Sequence, residues 1–185
     1  MELIFFLFKK KIEEFYVSGG ALQDFSRSVR ALIEKRRSYC VYFVNLKLLN
    51  RAAASTELST ALANADMLIP GSEWMARSLR KHRSVNACKI SRNALISDLL
   101  ETLPWNMVCF YGEDNRQLQI LTEKYPQITT IRPHTQSLPA EDLLNTGGFS
   151  LILVCLPETE QLQWMNAMKG KVKACMLGLG DGSKR

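Results

Sequence analysis

The sequence predicts an α/β protein with a mostly parallel sheet and helices on both faces. Short apolar runs alternate along the chain with segments in which apolar residues recur every three or four positions. The pattern runs from about Ala21 to Leu177, without an internal repeat or a long polar linker. Strands that alternate with helices are typical of βαβ units, whose parallel strands are covered on both sides. The even pattern and the length of 185 residues predict a single domain over residues 1–185.

The helical segments are identified by an apolar stripe. In the first segment Leu22, Phe25 and Val29 share one face. The same criterion predicts helices over residues 21–35, 56–65, 74–81, 92–103, 114–125 and 158–169.

The strand candidates are the apolar runs between these helices. The clearest is Phe149 to Leu156, where seven of eight residues are apolar. Further strands are predicted over residues 40–44, 67–69, 85–90, 106–111, 128–131 and 172–177, with a loop over 132–137. In open parallel sheets, ligands bind beyond the carboxyl ends of the strands. The residues that directly follow each strand are therefore the candidates for function.

The charge of the chain favours an anionic partner. Twenty-four Lys and Arg residues against eighteen Asp and Glu residues give a formal charge of +6. The basic residues form short runs at 9–11, 35–37 and 80–83, which solvated helix ends also explain. These runs lack interleaved aromatic residues, so nucleic acid is not an expected partner. The apolar fraction of 46% and the charged fraction of 23% exclude a disordered or low-complexity chain.

The cysteines and histidines predict neither a zinc site nor a disulfide framework. The five cysteines include no Cys-x-x-Cys pair, and His82 and His134 lie far apart in the sequence. Four of the cysteines lie in or beside apolar runs, where a reduced thiol packs as a small hydrophobic group. This usage fits a reducing cytoplasm. No nucleophilic triad or carboxylate pair is recognisable.

The apolar start of the chain has two interpretations. The run from Met1 to Phe8 is far shorter than the roughly 20 residues that span a bilayer, and its lysines follow it, unlike those of a signal peptide. We favour a buried strand or the start of a core helix. A shallow membrane anchor, with residues 9–11 at the lipid headgroups, stays the alternative.

Several strand-end residues have both a functional and a structural interpretation. Asn45 is suited to contact a sugar or a uracil edge, but such residues more often form turns. Gly112 precedes a helix whose N–H groups suit a phosphate, although tight turns also use glycine. Lys89 and Arg92 lie where a diphosphate would fit, or are solvated charges.

The glycines near the end of the chain and the acidic start of the last helix are equally open. Gly178 and Gly180 belong to a Gly-x-Gly-x-Gly sequence that lacks the helix of a dinucleotide-binding fingerprint, and a flexible end explains them as well. Glu158 and Glu160 open a helix, where carboxylates are favoured for structural reasons alone. Trp164 is interpreted as a core residue.

The order of these loop residues resembles the WecG/TagA/CpsF family of bacterial glycosyltransferases. The similarity runs collinearly from about residue 15 to residue 180. It rests on the segments Val44-Asn45-Leu46 and Ala65-Asp66-Met67-Leu68-Ile69-Pro70, Lys89-Ile90-Ser91-Arg92-Asn93-Ala94-Leu95, Phe110-Tyr111-Gly112-Glu113, Lys124-Tyr125-Pro126, Leu151 to Trp164, and Met176-Leu177-Gly178-Leu179-Gly180.

The resemblance implies a Rossmann-like enzyme that transfers a sugar of the N-acetylmannosamine type. The donor would be a UDP-sugar and the acceptor a polyprenyl-diphosphate-linked lipid in bacterial surface-polysaccharide synthesis, with no metal and no cofactor. It implies a cytoplasmic location at the inner face of the membrane and leaves a homo-oligomer open. The matching substrate-binding positions are Asn45, Lys89, Arg92, Gly112, Glu160, Gln161, Gly178 and Gly180.

This chain also departs from the family pattern. The family's proposed catalytic base corresponds to Gly71, and Glu73 is the nearest carboxylate that would replace it. Phe43, Arg92 and Ala94 stand where the family has Thr, Gly and Asp. The family's basic C-terminal tail is expected to be missing here. These departures keep a second hypothesis open, a non-catalytic pseudoenzyme that serves as a binding or regulatory subunit.

Overall fold

A six-stranded parallel sheet forms the centre of the molecule. The computed structural model describes residues 18–83, 86–133 and 139–180. The strands are β1 (Tyr39–Val44), β2 (Met67–Pro70), β3 (Val108–Gly112), β4 (Thr129–Ile131), β5 (Leu151–Cys155) and β6 (Cys175–Gly178). All five pairings are parallel, and the strand order is β2-β1-β6-β5-β3-β4. This arrangement confirms the predicted α/β, Rossmann-like fold class.

Eight helices connect these strands within the described residues. They are α1 (Leu22–Glu34), α2 (Leu46–Ala53), α3 (Thr56–Ala63), α4 (Glu73–Arg83), α5 (Arg92–Leu100), α6 (Arg116–Lys124), α7 (Ala140–Thr146) and α8 (Glu158–Met168). Five of them begin after an Asn or Ser whose side chain accepts a hydrogen bond from the backbone N–H three residues on, namely Asn45, Ser55, Ser72, Ser91 and Asn115. Such caps satisfy N–H groups that the first turn leaves unpaired, so the sequence marks these starts locally.

The sheet separates two apolar cores. Along β1, Tyr42 and Val44 face one core, whereas Val41 and Phe43 face the other, as the alternation of side chains along a strand requires. Helices α2, α3, α4, α7 and α8 cover the first core, and α1, α5 and α6 cover the second. Apart from the edge strand β4, the strands are buried on both faces, which explains why they read as continuous apolar runs.

The connections leave the sheet in opposite directions from two adjacent strands. After β3 the chain moves outward to β4, and after β5 it moves inward to β6. The ends of β3 and β5 therefore form a topological switch point, the place where open α/β sheets bind ligands.

Several predicted boundaries are corrected by the structure. The segment predicted as a strand over 85–90 is an extended connection in the described residues 86–90, with single backbone hydrogen bonds from Cys88 to Gly20 and from Ile90 to Pro70. The helix predicted to reach residue 103 ends at Leu100, and a 3-10 turn over Trp105–Met107 precedes β3. Helices α2 and α7 were not predicted. The apolar start of the chain, residues 1–17, lies outside the described residues.

Candidate active site at the carboxyl edge of the sheet

The segments that follow the six strands meet at one edge of the sheet, which we call the carboxyl edge. Helices α2, α4, α5, α6 and α8 begin at or near this edge. The positive ends of the helix dipoles point toward it, together with the first-turn N–H groups that the Asn and Ser caps do not bind. The carboxyl edge is consequently favourable for an anionic ligand before any side chain is considered.

The glycine segment, Gly178–Gly180 at the end of β6, lies between α8 on one face of the sheet and α5 on the other. The Gln161 side chain of α8 accepts a hydrogen bond from the Gly180 N–H at 2.6 Å through Oε1. A Cβ built on Gly178 would lie 2.2 Å from Nε2 of Gln161, so position 178 has no room for a side chain. Gly178 and Gly180 are thus packed parts of the fold, and the expectation of a merely flexible end is wrong for them; Gly182 lies outside the described residues.

Arg92 approaches the same glycine segment from the other face. A Cβ on Gly180 would lie 3.5 Å from Nη1 of Arg92, and Gly180 has a positive φ of 74°. The guanidinium of Arg92 lies 5.6 Å from the centroid of the Phe43 ring, within the range of a cation–π contact. Because Arg92 is the first residue of α5, its charge is held at the start of a helix, on the carboxyl edge.

Asn45 has a structural role and also faces a carboxylate. Its Oδ1 accepts from the Leu48 N–H at 2.8 Å and caps α2, while its Nδ2 donates to Oε1 of Glu158 at 3.1 Å. Arg51 lies on the other side of Glu158, 3.9 Å from Oε2, and donates a hydrogen bond to Thr159. The start of α8 is thereby tied to α2. Sequence reasoning missed Arg51, because nothing in its local pattern indicates a partner 107 residues further along the chain.

Gly112 lies at the switch point, where the two strands approach closely. A Cβ on Gly112 would lie 2.4 Å from the carbonyl oxygen of Cys155. The same carbonyl accepts a hydrogen bond from Nδ2 of Asn115, the cap of α6. The packing of β3 against β5 therefore requires glycine here, whatever ligand the loop binds.

Gly71 and Glu73 occupy the region of the family's proposed base. The Gly71 N–H donates to the Val44 carbonyl at 2.8 Å, and a Cβ on Gly71 would lie 3.1 Å from that oxygen. Glu73 opens α4, and its carboxylate pairs with Arg80 at 3.0 Å and with Arg77 at 3.5 Å. The hydrogen bond from Arg80, followed by the charges of both arginines, lowers the pKa of Glu73. A lowered pKa weakens a general base.

The remaining predicted site residues are more exposed. Lys89 lies on the extended connection before α5, next to Ile90, whose N–H donates to the Pro70 carbonyl. Glu160 is exposed in the first turn of α8, one residue before the buried Gln161. The structure thus brings Gln161, Gly178, Gly180 and Arg92 together. Glu73, in contrast, forms ion pairs with Arg77 and Arg80 of its own helix.

An aromatic pair lies beside the candidate site. The rings of Tyr111 and Trp164 stack with centroids 4.0 Å apart and an interplanar angle of 19°. Trp164 is half-buried and packs at the border of the first core, so its interpretation as a core residue holds in part. Burial raises the pKa of Tyr111 to about 12, which keeps its hydroxyl protonated at neutral pH.

The four buried cysteines are not equipped for nucleophilic chemistry. Cys40, Cys109, Cys155 and Cys175 are buried, as expected, and only Cys88 is exposed. Burial raises the pKa of Cys155, the last residue of β5, to about 12. A thiol that stays protonated is a poor nucleophile. Within the described ranges, no three His, Cys, Asp or Glu side chains are grouped to hold a metal ion, and no helix is long and apolar enough to cross a bilayer.

Comparison with known proteins assigns the chain to a family. No curated protein sequence matches it significantly. The model of the WecG/TagA/CpsF family of glycosyl transferases matches residues 11–183, which is nearly the whole chain. Membership supports a role in sugar transfer. The protein belongs to the WecG/TagA/CpsF glycosyl transferase family.

Proposed function

We propose that the protein transfers a sugar of the N-acetylmannosamine type from a UDP-sugar to a polyprenyl-diphosphate-linked acceptor. The observation that carries the proposal is the position of the Gly178–Gly180 segment between Gln161 and Arg92. Three segments remote in sequence meet there at the carboxyl edge, and each carries a residue of the predicted binding set. Family membership supports sugar transfer in general, and the geometry offers a place for the donor.

The donor diphosphate would bind near the starts of α5 and α6. Arg92 supplies a guanidinium that suits bidentate contact with phosphate oxygens, and the nearby Lys89 adds a second positive charge. Backbone N–H groups after Gly112, at the start of α6, add further donors, whereas the Gly180 N–H already donates to Gln161. The formal charge of +6 assists the approach of both anionic substrates.

The sugar would lie near Asn45 and the first turn of α8. An amide has two donor hydrogens and two acceptor lone pairs, and the described contacts of Asn45 use one of each. The side chain is therefore held in place and still has capacity for a sugar hydroxyl. Glu160 and Gln161 complete this proposed subsite.

Glu73 would serve as the base that activates the acceptor. Its pairs with Arg77 and Arg80 lower its pKa, so we expect it to be a weak base and transfer to be slow. Removing a general base typically costs 10²- to 10⁴-fold in rate. The acceptor lipid requires a peripheral position at the inner face of the bacterial membrane, which the positive charge of the protein favours.

The alternative function is a binding subunit that retains the donor site without turnover. Gly71 favours it, because this position has no carboxylate and the Val44 carbonyl stands 3.1 Å from where a Cβ would be. In this alternative UDP still binds, but no sugar is transferred. A homo-oligomer is compatible with either function.

The donor site is tested by calorimetric titration with UDP at two salt concentrations. We expect saturable binding that weakens with salt, because screening reduces the attraction between the diphosphate and the cations. Arg92→Gln should weaken binding about tenfold or more, the effect of losing a hydrogen bond to a charged group. Arg27→Gln, an exposed cation on α1, is the matched control and should bind normally. Absence of binding at millimolar UDP would refute the proposal.

Turnover distinguishes the two functions. UDP release should be measured with UDP-N-acetylmannosamine and a short polyprenyl-diphosphate acceptor. Glu73→Gln should reduce turnover at least about 100-fold and leave UDP binding intact, whereas the exposed Glu123→Gln should change neither. Unchanged turnover in Glu73→Gln would exclude Glu73 as the base. UDP binding without turnover in the unmodified protein would establish the binding subunit.

A further inference from the structure

A cavity lies on the side of the sheet opposite the carboxyl edge. Its volume is about 370 Å³, and it is lined by residues that precede three neighbouring strands: Arg36 before β1, Ser150 before β5 and Lys173 before β6. Leu144 and Asn145 of α7 complete much of its wall. We call this cavity the amino-edge pocket. Nothing in the proposed transfer reaction uses it.

The amino-edge pocket is lined by two positively charged residues, both exposed to solvent, and by no negatively charged one. Arg36 and Lys173 both line it, and none of its lining residues is Asp or Glu. In the part of the chain that the structure describes, neither cation forms an ion pair. The neighbouring Lys169, in contrast, pairs with Asp66 at 2.8 Å. Two cations held beside the same cavity repel each other unless an anion lies between them.

The backbone of Arg36 is in a conformation that favours glycine. Its φ is +47°, and it is the only non-glycine residue with a positive φ among residues 18–83, 86–133 and 139–180. The position follows the end of α1, where its N–H donates to the Ile33 carbonyl at 3.1 Å. Helices commonly end with glycine at this position because a side chain is strained there. The arginine is therefore present despite a conformational cost, which points to a use for its side chain.

Ser150 contributes a rigid hydroxyl to the pocket. The residue is 2% exposed, its N–H donates to the Met107 carbonyl at 2.8 Å, and its own carbonyl accepts from the Cys175 N–H at 3.0 Å. Its hydroxyl has no hydrogen-bond partner among the described residues. A hydroxyl on this fixed backbone, lining the cavity beside two cations, is suited to donate to an anion.

We propose that the amino-edge pocket binds a small phosphorylated ligand. Arg36 and Lys173 would hold the phosphate group, Ser150 would donate a hydrogen bond to it, and the organic part would contact Leu144 and Phe149. Two cations and a hydroxyl match a phosphate dianion better than a carboxylate, which carries one charge and two oxygens. The site is distinct from the donor site at the carboxyl edge, and it does not depend on the transfer reaction.

The test is a titration of the ¹⁵N-labelled full chain with inorganic phosphate, followed by amide NMR at constant ionic strength. We expect saturable shifts at residues before β1, β5 and β6, and weaker effects with acetate. Lys173→Gln should weaken phosphate binding about tenfold or more. Lys171→Gln is the matched control, an exposed cation two residues away that does not line the pocket, and it should bind normally. No saturable shift, or equal weakening by both variants, would overturn the proposal.

A second variant separates binding from folding. Arg36→Gly removes the charge and relieves the strained backbone, so the melting temperature should stay the same or rise while phosphate binding is lost. If Arg36→Gly binds phosphate as well as the unmodified protein, Arg36 does not hold the ligand and the proposed site is wrong.

Discussion

At the scale of single residues, packing explains the glycines of the carboxyl edge before any ligand is considered. A Cβ at Gly112 would collide with the Cys155 carbonyl at 2.4 Å, and one at Gly178 with the Gln161 amide at 2.2 Å. Removing the side chains at these positions lets strands and helix approach closely. The same absence of side chains would let a ligand approach the backbone closely, so one residue type suits both packing and binding.

Gly178→Ala should destabilise the protein by about 1–3 kcal/mol, the usual cost of inserting a methyl group into a packed site. Chemical denaturation measures this free energy. In a Gln161→Ala background the collision is removed, so the additional cost of Gly178→Ala should be much smaller. Equal costs in both backgrounds would show that Gln161 does not restrict position 178.

Asn45→Ala should cost about 1 kcal/mol of stability, because α2 loses its cap. Ser55→Ala removes the cap of the adjacent α3 and should cost a similar amount, which makes it the matched control. Only Asn45→Ala should also raise the KM for the sugar donor, since only Asn45 belongs to the proposed sugar subsite. A raised KM in both variants would attribute the effect to helix stability.

At the scale of secondary-structure elements, polar contacts fix how helices lie on the sheet. On the second core, Arg30 of α1 donates to the Asp98 side chain at 2.5 Å and to the Asp98 carbonyl at 2.8 Å. On the first core, Glu158 links α8 to α2 through Asn45 and Arg51. Apolar stripes bring a helix to the sheet, and these contacts then select its position.

Asp98→Ala should destabilise the protein by about 1 kcal/mol, a value near the upper end for an ion pair whose side chains are each about a third exposed. Asp114→Ala breaks the more exposed pair with Arg132 and should cost less than about 0.5 kcal/mol. Chemical denaturation at low and at high salt measures the free energy of unfolding of both variants. A larger loss for Asp114→Ala would contradict the role given to the contact between α1 and α5.

Element prediction succeeded where periodicity was strong and failed where it was local or weak. The stripe of α1 predicted its bounds within one residue at each end. Helix α2 was missed because its eight residues directly follow a strand and leave little room for a recognisable period. The apolar residues near 85–90 suggested a strand. Ala87 and Ile90 are indeed buried, but they belong to a connection that is not part of the sheet. Burial alone does not distinguish these two outcomes.

At the scale of the whole molecule, the buried thiols connect folding to pH. Burial raises the pKa of Cys109 and of Cys155 from 9.0 to about 12. Both thiols therefore stay protonated in the folded protein at a pH where the unfolded chain has already released these protons. Stability is fully present below pH 9 and declines as the pH rises from about 9 toward 12.

The expected decline is roughly 1 kcal/mol per buried thiol for each pH unit in that interval. Denaturation midpoints at pH 8, 9 and 10 measure it. Cys109→Ala should be less stable at pH 8 because of the lost volume, but its stability should fall less steeply with pH. A slope equal to that of the unmodified protein would show that this thiol does not contribute.

Thiol accessibility gives a second prediction for the whole fold. Of the five cysteines only Cys88 is exposed, so a thiol reagent should modify one thiol per molecule quickly and four only on unfolding. Cys88→Ser should abolish the fast phase. Two or more fast thiols in the native protein would contradict the buried sheet.

The candidate site was predictable in part. Strand ends and collinear motifs identified Asn45, Arg92, Gln161 and Gly178 as candidates, and the structure places the last three in one cluster. The contact between Asn45 and Glu158 joins positions 113 residues apart, and no local pattern indicates it. The arginines around Glu73 were likewise not foreseen, although the spacing of Arg77, four residues on in a helix, permits such a pair.

The sequence by itself determined the fold class, the family and the candidate residues at the ends of β1, β2, β3, β5 and β6. These follow from periodicity and residue order, which are properties of the chain as written. Only the tertiary structure decided the strand order, the approach of Gln161 and Arg92 to the glycine segment, and the grouping of Arg36 with Lys173. Such contacts join residues far apart in the chain, and they form because burying both faces of the sheet leaves few ways to arrange its connections.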